Sequence, residues 1–330
     1  MNLRLLPLPL NEKQTRLVDV KHLRPTFSRL IGSRFVSKGT LARIVDDGER
    51  KTARGLEQGM PQTVLAFYEE LADYYPLIFE DWDSSIERQA RVLSGLLASE
   101  TTGEPLRILD CACGIGTQSI GLAQWGHRVV GSDLSEAAVH RAQREAQRRG
   151  LSISFCVSDM TSLQEVAETG FDAVVAMDNA LPHLSSEQLV NAAKAIASKL
   201  RPGGLFMASI RDYDRLIVEK PTMQEAAFYG APGSRRIVHQ VWDWDVLASE
   251  GSSYALHLFI AVESDQGWQA HHFVSTYRCL LREELSAVLS GAGFGDIRWL
   301  IAPDSGFYQP IVLARLPASS MHNLPDCPQL

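Results

Sequence analysis

A ten-residue segment combines residue types that bind nucleotides in other proteins. Residues 108–117 read Ile-Leu-Asp-Cys-Ala-Cys-Gly-Ile-Gly-Thr, so an apolar run leads into an acid and then into a Gly-x-Gly turn. Gly114 and Gly116 allow backbone dihedrals that are closed to other residues, and they let a ligand approach the main chain. The following residues have a helical pattern, and free N–H groups at a helix N-terminus point toward such a ligand. The segment therefore predicts a nucleotide-binding turn between a strand and a helix.

The residues around the turn favour a cationic ligand over a pyrophosphate. Asp110 directly precedes the turn, where a carboxylate suits an ammonium or a sulfonium group. The third glycine of the dinucleotide fingerprint is missing, which argues against a nicotinamide-dependent dehydrogenase. Cys111 and Cys113 are expected to be small buried side chains, and the five cysteines show no zinc-ligand spacing. We therefore expect a reduced protein without a metal site.

An acid ends each of the next two predicted strands. The second strand ends at Asp133, 17 residues after Gly116, and an acid at this place hydrogen-bonds a ribose diol in Rossmann-type sites. The alternative is that Asp133 caps the helix that starts near Ser135. The third strand ends at Asp159. Because parallel strands bring their carboxyl ends to one edge of the sheet, both acids are expected beside the turn.

The exit from the fourth predicted strand carries three polar side chains, Asp178, Asn179 and His183. The apolar run before them, residues 171–177, is typical of a buried parallel strand. His183 is a candidate general base because imidazole titrates near neutrality, and the alternative is a structural histidine that bonds the loop. Asp178 is a carboxylate that could attract an amine, act as a base or hold the loop.

Helices alternate with five predicted strands between residues 106 and 210, which is the pattern of a doubly wound α/β sheet. Residues 211–280 instead read as three strands rich in Val, Ile, His and aromatics, and such meanders pair antiparallel. Residues 281–316 predict a helix and a closing strand pair. We therefore predict a mostly parallel Rossmann-like sheet with an antiparallel last strand, and an inserted antiparallel β-sheet after strand five that covers the substrate site.

The first 105 residues divide into a basic leader and a helical segment. Residues 1–60 hold twelve Lys/Arg and six Asp/Glu, while the remainder is acidic, which argues against nucleic-acid binding. Residues 1–59 are expected to be a poorly ordered extension, with contact to an acidic partner as the alternative, and Met60 is an alternative start. Residues 60–105 predict helices around an aromatic segment, which either forms a lid that turns Tyr75 toward a ligand or packs on the core.

The chain lacks the patterns that direct a protein into or across a membrane. No apolar run reaches the roughly 18 residues that span a bilayer, and Arg4, Pro7 and Pro9 break the N-terminus as a signal peptide. We therefore expect a cytoplasmic protein that binds neither membranes nor nucleic acid, and self-association into a homo-oligomer is left open. Residues 317–330 are expected to be a loose tail.

Together, residues 106–316 resemble the class I S-adenosylmethionine-dependent methyltransferases, and within them the glycine/sarcosine N-methyltransferase group. The motifs that carry the resemblance are Leu-Asp-x-x-Cys-Gly-x-Gly-Thr at 109–117, Asp-Asn-Ala-Leu-Pro-His-Leu at 178–184, Arg-Pro-Gly-Gly at 201–204 and Ile-Arg-Asp-Tyr-Asp at 210–214. Asp178 departs from the group, which has a small residue at this place. The resemblance implies the methyltransferase fold over the 106–210 and 281–316 segments.

The resemblance also implies S-adenosylmethionine as the cofactor and S-adenosylhomocysteine as the product. In this class an acid after strand three accepts the adenine amino group and the next backbone N–H meets the ring, roles that Asp159 and Met160 would fill. The cofactor-binding residues that it implies are Asp110, Cys113, Gly114, Gly116, Asp133, Leu134, Asp159, Met160 and Asp178.

Contacts to the methyl acceptor follow from the same resemblance. In that group an asparagine after strand four and an arginine after strand five hold the substrate carboxylate, and tyrosines surround the amine. The implied substrate-binding residues are Tyr75, Asn179, Arg211, Tyr213, Tyr277 and Tyr308, and the catalytic candidates are Asp178, Asn179, His183 and Tyr277. The alternatives are a surface ion pair of Arg211 with Asp212 or Asp214, and interface packing for the tyrosines.

The predicted reaction is N-methylation of a small amine or amino acid by direct in-line transfer. A sulfonium leaving group is already activated, so alignment supplies most of the catalysis, and desolvation favours an unprotonated amine. One alternative is an O- or S-methyltransferase of a specialised metabolite. Another is a non-catalytic S-adenosylmethionine-binding protein that uses the basic leader for partners.

Overall fold

Two β-sheets and the helices packed on them make up the computed structural model, which describes residues 63–103, 105–246 and 251–318. The predicted leader at 1–59, the alternative start at Met60 and the tail beyond residue 318 lie outside the described residues. Within the described ranges, no helix is both long enough and apolar enough to cross a membrane.

The described part of the chain contains eleven strands and eight α-helices. The strands are β1 (Arg107–Asp110), β2 (Arg128–Asp133), β3 (Ser154–Val157), β4 (Phe171–Ala176), β5 (Leu200–Ser209), β6 (Ala227–Tyr229), β7 (Arg236–Trp244), β8 (Ser253–Ser264), β9 (Gly267–Arg278), β10 (Gly295–Leu300) and β11 (Ile311–Arg315). The helices are α1 (Val64–Leu71), α2 (Trp82–Glu100), α3 (Thr117–Gln124), α4 (Glu136–Arg148), α5 (Ser186–Lys199), α6 (Tyr213–Glu219), α7 (Arg282–Gly291) and α8 (Ala302–Ser305). Two short 3-10 turns lie at Tyr75–Ile78 and Leu181–His183.

The larger sheet has seven strands in the order β10-β11-β5-β4-β1-β2-β3. Strands β1 to β5 run parallel, whereas β11 runs antiparallel to both β5 and β10. Alternate residues of β4 enter two separate hydrophobic clusters, Val174 in one and Val175 in the other, because both faces of the sheet are covered. The predicted mostly parallel sheet with an antiparallel last strand is therefore confirmed. Its strand order places the ends of β4, β1, β2 and β3 side by side.

The smaller sheet is antiparallel and has the order β6-β7-β8-β9. The sequence predicts three strands here, and β6 is additional because a three-residue strand is too short to show a period. Trp242, Leu256 and Phe273 on its inner face join the same hydrophobic cluster as Val174 of β4. Strand β9 contacts the Leu181–His183 turn, so this sheet packs against a loop that leaves the main sheet.

The Arg-Pro-Gly-Gly segment at 201–204 shows how backbone pairing extends a strand beyond its apolar residues. The sequence predicts a turn there, but the segment belongs to β5. The Gly203 N–H donates to the Leu316 carbonyl at 2.9 Å, and the Leu316 N–H donates to the Gly204 carbonyl at 2.9 Å. The prediction of a turn is therefore wrong because these bonds to the chain after β11 are invisible to local sequence.

Candidate functional site

A cavity of about 110 Å³ lies at the carboxyl edge of the larger sheet, among the residues that follow β1, β2, β3 and β4. Helix α1 and the 3-10 turn after it contribute Tyr68 and Tyr75 to its wall. The predicted site residues that line it are Tyr75, Cys113, Gly114, Asp133, Leu134, Asp159, Met160, Asp178 and His183. The predicted residues that do not line it are Asp110, Gly116, Asn179, Arg211, Tyr213, Tyr277 and Tyr308.

The glycine turn after β1 has the backbone geometry that its sequence predicts. Gly114 has a φ of 51° and Gly116 a φ of 92°, and Gly116 is the N-cap of α3. A Cβ on Gly116 would lie 3.1 Å from Ile120 Cδ1 and 3.2 Å from the Ala142 Cβ, so this glycine lets α3 pack closely on α4. A Cβ on Gly114 would have no described atom of another residue within 4 Å beyond its chain neighbours, so its backbone is open to a ligand.

Asp110 lies beneath the turn and does not reach the cavity. It is completely buried, and one carboxylate oxygen accepts a hydrogen bond from Ser119 Oγ at 2.6 Å, while the other has no partner among the described residues. Burial raises the pKa of Asp110 to about 7, partly offset by the Ser119 bond. Cys111 and Cys113 are buried beside it, and burial raises the pKa of both thiols. The direct ligand contact expected of Asp110 is therefore replaced by support of the turn.

Asp133 at the end of β2 joins the glycine turn to the cavity wall. Its carboxylate accepts hydrogen bonds from the Gly114 N–H at 2.8 Å and from the Ser135 N–H at 3.0 Å. Helix α4 is capped by Ser135, whose hydroxyl accepts from the Ala138 N–H at 3.1 Å. The alternative role of Asp133 as the helix cap is therefore filled by Ser135. Burial raises the pKa of Asp133, and the backbone N–H donors oppose that rise.

The end of β3 supplies the next part of the wall through Asp159 and Met160. The Asp159 carboxylate accepts a hydrogen bond from the Thr161 N–H at 2.8 Å, which fixes its orientation at the edge of the sheet. Leu134 after β2 also lines the cavity, and 43% of its surface is exposed. The three side chains combine one acid with apolar surface, which suits a ligand that has a polar edge on a flat ring.

Asp178 and Asn179 follow β4 in an uncommon backbone conformation. Their φ angles are 58° and 70°, in the left-handed region that Asp and Asn tolerate better than other non-glycine residues. The Asp178 carboxylate accepts hydrogen bonds from Gln118 Nε2 at 2.9 Å and from the Tyr308 hydroxyl. Burial raises the pKa of Asp178 to about 6, whereas the Gln118 bond and the Arg211 charge act to lower it.

His183 is held by partners on both ring nitrogens. Nδ1 lies 3.2 Å from the Thr276 carbonyl and must carry the proton, so Nε2 accepts from the Tyr68 hydroxyl at 2.9 Å. Burial lowers the pKa of His183 to about 3, which keeps the ring neutral. These contacts favour the structural histidine that bonds the loop over the general base. The Tyr68 oxygen then presents only lone pairs to the cavity, since its proton is used.

Arg211 follows β5 and is surrounded by aromatic rings. Its guanidinium carbon lies 4.9 Å from the ring centroid of Trp242 and 5.2 Å from that of Tyr277. It donates hydrogen bonds to the Tyr254 hydroxyl and, at 3.4 Å, to Gln240 Oε1. Among the described residues no carboxylate lies within ion-pair distance of it. The guanidinium is therefore enclosed without an opposite charge.

The surface ion pair considered as an alternative for Arg211 is absent from the described chain. Asp212 and Asp214 instead pair with Arg282, at 3.4 Å and 2.9 Å. Asn179 Oδ1 accepts from the Arg211 N–H at 2.9 Å, whereas Asn179 Nδ2 is buried and has no partner among the described residues. Asn179 and Arg211 are therefore neighbours with unused donor capacity.

The predicted tyrosines connect this polar group to the cavity wall without lining it. The ring centroid of Tyr277 lies 4.1 Å from that of His183, and the Tyr213 hydroxyl donates to Asn179 Oδ1 at 3.0 Å. Tyr308 reaches the wall through Asp178. The alternative of a packing role also fits Tyr213, because its side chain is fully buried.

Several residues of this site are missed by sequence reasoning. Tyr68 lies on the apolar face of α1, where the periodicity indicates only core packing. Gln118 lies in the first turn of α3 between two other polar residues, and its local sequence does not indicate a contact with Asp178. Trp242 and Tyr254 reach Arg211 only through the register of β7 with β8. The Trp-Asp-Trp-Asp pattern at 242–245 was the one visible signal for this enclosure.

Known proteins share the segment that forms the cavity. A family model described as a methyltransferase domain matches residues 108–204. Glycine N-methyltransferase from Mus musculus is 35% identical over 127 residues, covering 34% of this chain and 42% of the mouse protein. The ubiquinone biosynthesis O-methyltransferase of Methylocella silvestris is 37% identical over 106 residues, covering 32% of this chain and 40% of that protein. The chain therefore spans less than half the length of these curated relatives.

A solved structure extends the likeness in fold beyond the matched segment. CalS10, described as an amino pentose methyltransferase from Micromonospora echinaspora, superposes with a TM-score of 0.57 at 18% identity, over 70% of this chain and 92% of that chain. At this identity the likeness concerns the fold alone. Residues 108–204 therefore match a methyltransferase domain, and this segment runs from β1 into β5 of the larger sheet.

Proposed function

We propose that the protein transfers a methyl group from S-adenosylmethionine to the nitrogen of a small amine or amino acid. The observation that carries this proposal is the pairing of two features, one in the wall of the cavity and one behind the Tyr277 ring that packs on His183. One is the open glycine turn with Asp133 and Asp159, and the other is the Arg211 guanidinium, which has no carboxylate partner among the described residues. The first suits the methyl donor and the second suits an acceptor that carries a carboxylate.

The donor half of the proposal rests on residues whose free groups match an adenosine and a sulfonium. Asp133 retains lone pairs for a ribose diol after accepting two backbone N–H groups, and Gly114 leaves its backbone open. Asp159 and Met160 would hold the adenine ring. When bound, S-adenosylmethionine supplies an electrophilic methyl group, while the protein residues orient the reactants and exclude water.

The acceptor half rests on Arg211 and Asn179. Arg211 is half-buried, and a guanidinium that loses water without gaining an opposite charge is costly. A carboxylate that binds it at two oxygens would offset that cost. The unpartnered Nδ2 of Asn179 offers a further donor beside it. The name of the mouse relative, glycine N-methyltransferase, agrees with an acceptor of this kind. An amine on the same molecule would then be directed toward the cavity.

O-methylation is a second candidate, and the 37% identity to an O-methyltransferase favours it. The two are separated by incubating the full chain with methyl-labelled S-adenosylmethionine and matched acceptors: an amino acid, its hydroxy acid, a phenol and a thiol. Label on the amino acid alone supports the proposal. Label on the hydroxy acid or the phenol would refute N-methylation. Bound cofactor without labelled product from any acceptor would favour the non-catalytic alternative.

Asp133→Ala tests the placement of the cofactor. Loss of the ribose contact and of the bond to the Gly114 N–H should weaken S-adenosylmethionine binding about tenfold or more, measured by calorimetry. The exposed Asp265→Asn variant in the β8–β9 turn is the control and should bind normally. Unchanged affinity in Asp133→Ala would show that the ribose lies elsewhere.

A further inference from the structure

Asp178 occupies a strained position in the wall of the cavity. Its φ of 58° is followed by a φ of 70° at Asn179, so two successive non-glycine residues are left-handed. Such a conformation costs roughly 1–2 kcal/mol for each residue, and it persists only where the surroundings impose it. The strain places a carboxylate at the cavity.

Contacts from three elements fix this carboxylate as a hydrogen-bond acceptor. Gln118 Nε2 from α3 donates to one oxygen at 2.9 Å and also donates to Gln89 Oε1 at 2.8 Å. The Tyr308 hydroxyl donates to the other oxygen. The Asp178 N–H donates to Ser209 Oγ at the end of β5, at 2.9 Å. Each oxygen therefore has a fixed donor and a further lone pair.

The charges around Asp178 leave it able to change its protonation state near neutrality. Burial raises its pKa to about 6, and Arg211 lowers it without forming an ion pair. Tyr75 in the 3-10 turn after α1 and Asp110 at the end of β1 are the titratable neighbours of Asp178. Burial raises the pKa of both groups, and the Asp178 charge adds to that rise. Tyr308 is its hydrogen-bond donor. Among the described residues, Asp178 has no salt-bridge partner that would lock it as an anion.

We propose that Asp178 is a catalytic residue that takes the proton from the ammonium form of the acceptor. This rests on the proposed N-methylation. The N–H bond of the ammonium breaks and its proton moves to an Asp178 oxygen. The freed nitrogen lone pair forms the bond to the methyl carbon, and the electrons of the breaking C–S bond stay on sulfur as a thioether. Asp178 then returns its proton to water, so the methylated ammonium, S-adenosylhomocysteine and one proton are the products.

The test is the pH dependence of methylation by Asp178→Asn, with Asp265→Asn as the matched control. General base catalysis contributes about 10²–10⁴-fold, so kcat of Asp178→Asn at about pH 7 should fall by about 100-fold or more. The rate should recover toward wild type as the pH approaches the pKa of the acceptor amine, because the free amine then binds directly. The fall in kcat should persist at saturating S-adenosylmethionine, with the affinity of each variant measured by calorimetry, because kcat does not include donor binding.

A second variant keeps the test decisive if the asparagine variant does not fold. Tyr308→Phe retains the carboxylate and removes a donor that favours its ionised form, so the acid limb of the kcat profile should move to higher pH. An unmoved limb would overturn the proposal. So would an Asp178→Asn variant that is fully active at neutral pH, or one whose loss persists at high pH. An inactive wild type would overturn N-methylation as well, whereas an active wild type with an unaffected variant overturns the base alone.

Discussion

Among the described residues, no carboxylate lies within ion-pair distance of the half-buried Arg211 guanidinium. Its neighbours Trp242, Tyr254 and Tyr277 offer ring faces, each worth about 0.5–2 kcal/mol to a cation. These interactions do not replace the hydration that a buried charge gives up. The remaining interaction is expected from a ligand, and its geometry favours a flat anion because a guanidinium is planar.

Arg211→Lys should therefore damage acceptor binding and spare donor binding. Lysine keeps the charge and loses the planar fork, so the KM of an amino acid acceptor should rise about 10- to 100-fold. The same acceptor with a carboxamide should show little difference between variant and wild type, and initial rates with both compounds measure this. Arg215→Lys, exposed on α6 and paired with Glu219, is the control. An equal rise in KM for both acceptors would contradict the carboxylate contact.

At the scale of elements, one arginine ties the inserted sheet to the segment that carries Tyr75. Arg236 at the start of β7 donates to the Leu77 carbonyl at 3.0 Å, the Phe79 carbonyl at 2.5 Å and the Glu80 carbonyl at 2.7 Å. A single guanidinium therefore satisfies one carbonyl within the 3-10 turn and two directly after it. The aromatic segment is thus anchored by a strand about 160 residues later in the chain.

Arg236→Lys should loosen this segment while leaving the core folded. Loss of two or three charged hydrogen bonds should increase chymotrypsin cleavage at Tyr74 or Phe79 about tenfold. Arg235→Lys is the control, since the neighbouring arginine pairs with Glu263. Timed digestion followed by mass spectrometry measures both variants. Equal cleavage of the two variants would show that the Arg236 hydrogen bonds do not hold the aromatic segment in place.

At the scale of the whole molecule, two buried groups make stability depend on pH in opposite directions. The pKa of Asp110 is raised to about 7, so the folded state keeps a proton that the unfolded state loses near pH 4, and stability falls between those values as pH rises. The pKa of His183 is lowered to about 3, so its contribution is lost as pH falls below about 6.5. In the intact protein, the effect of Asp110 on the pH dependence of stability partly cancels the effect of His183.

Asp110→Asn should separate the two effects. Asparagine can accept the Ser119 bond and cannot ionise, so the variant avoids the cost that Asp110 incurs as pH rises from about 4 to 7. The difference in Tm, variant minus wild type, should grow by at least about 3 °C between pH 5 and pH 7.5 and then level off. Thermal melts without cofactor measure it. A difference that is constant with pH would show that Asp110 is ionised throughout.

Much of the fold and of the cavity wall could be predicted because their signals are local. The glycine turn at 114–116 and the acids at 133 and 159 each end an apolar run, and parallel strands bring such ends together. The surroundings of Arg211 could not be predicted, because they depend on the register of Trp244 with Tyr254 and of Tyr254 with Tyr277. Tyr68 reaches His183 across 115 residues, and no periodicity encodes that contact.

The position of the smaller sheet between β5 and α7 suggests a route to altered catalysts. Residues 211–280 contain both Arg211 and the aromatic residues around it, whereas the glycine turn and the two acids lie earlier in the chain. Under the proposed function, we expect that exchange of this segment among homologues changes the acceptor and leaves the donor the same. Chimeras should therefore keep affinity for S-adenosylmethionine, and differ in the molecules they methylate.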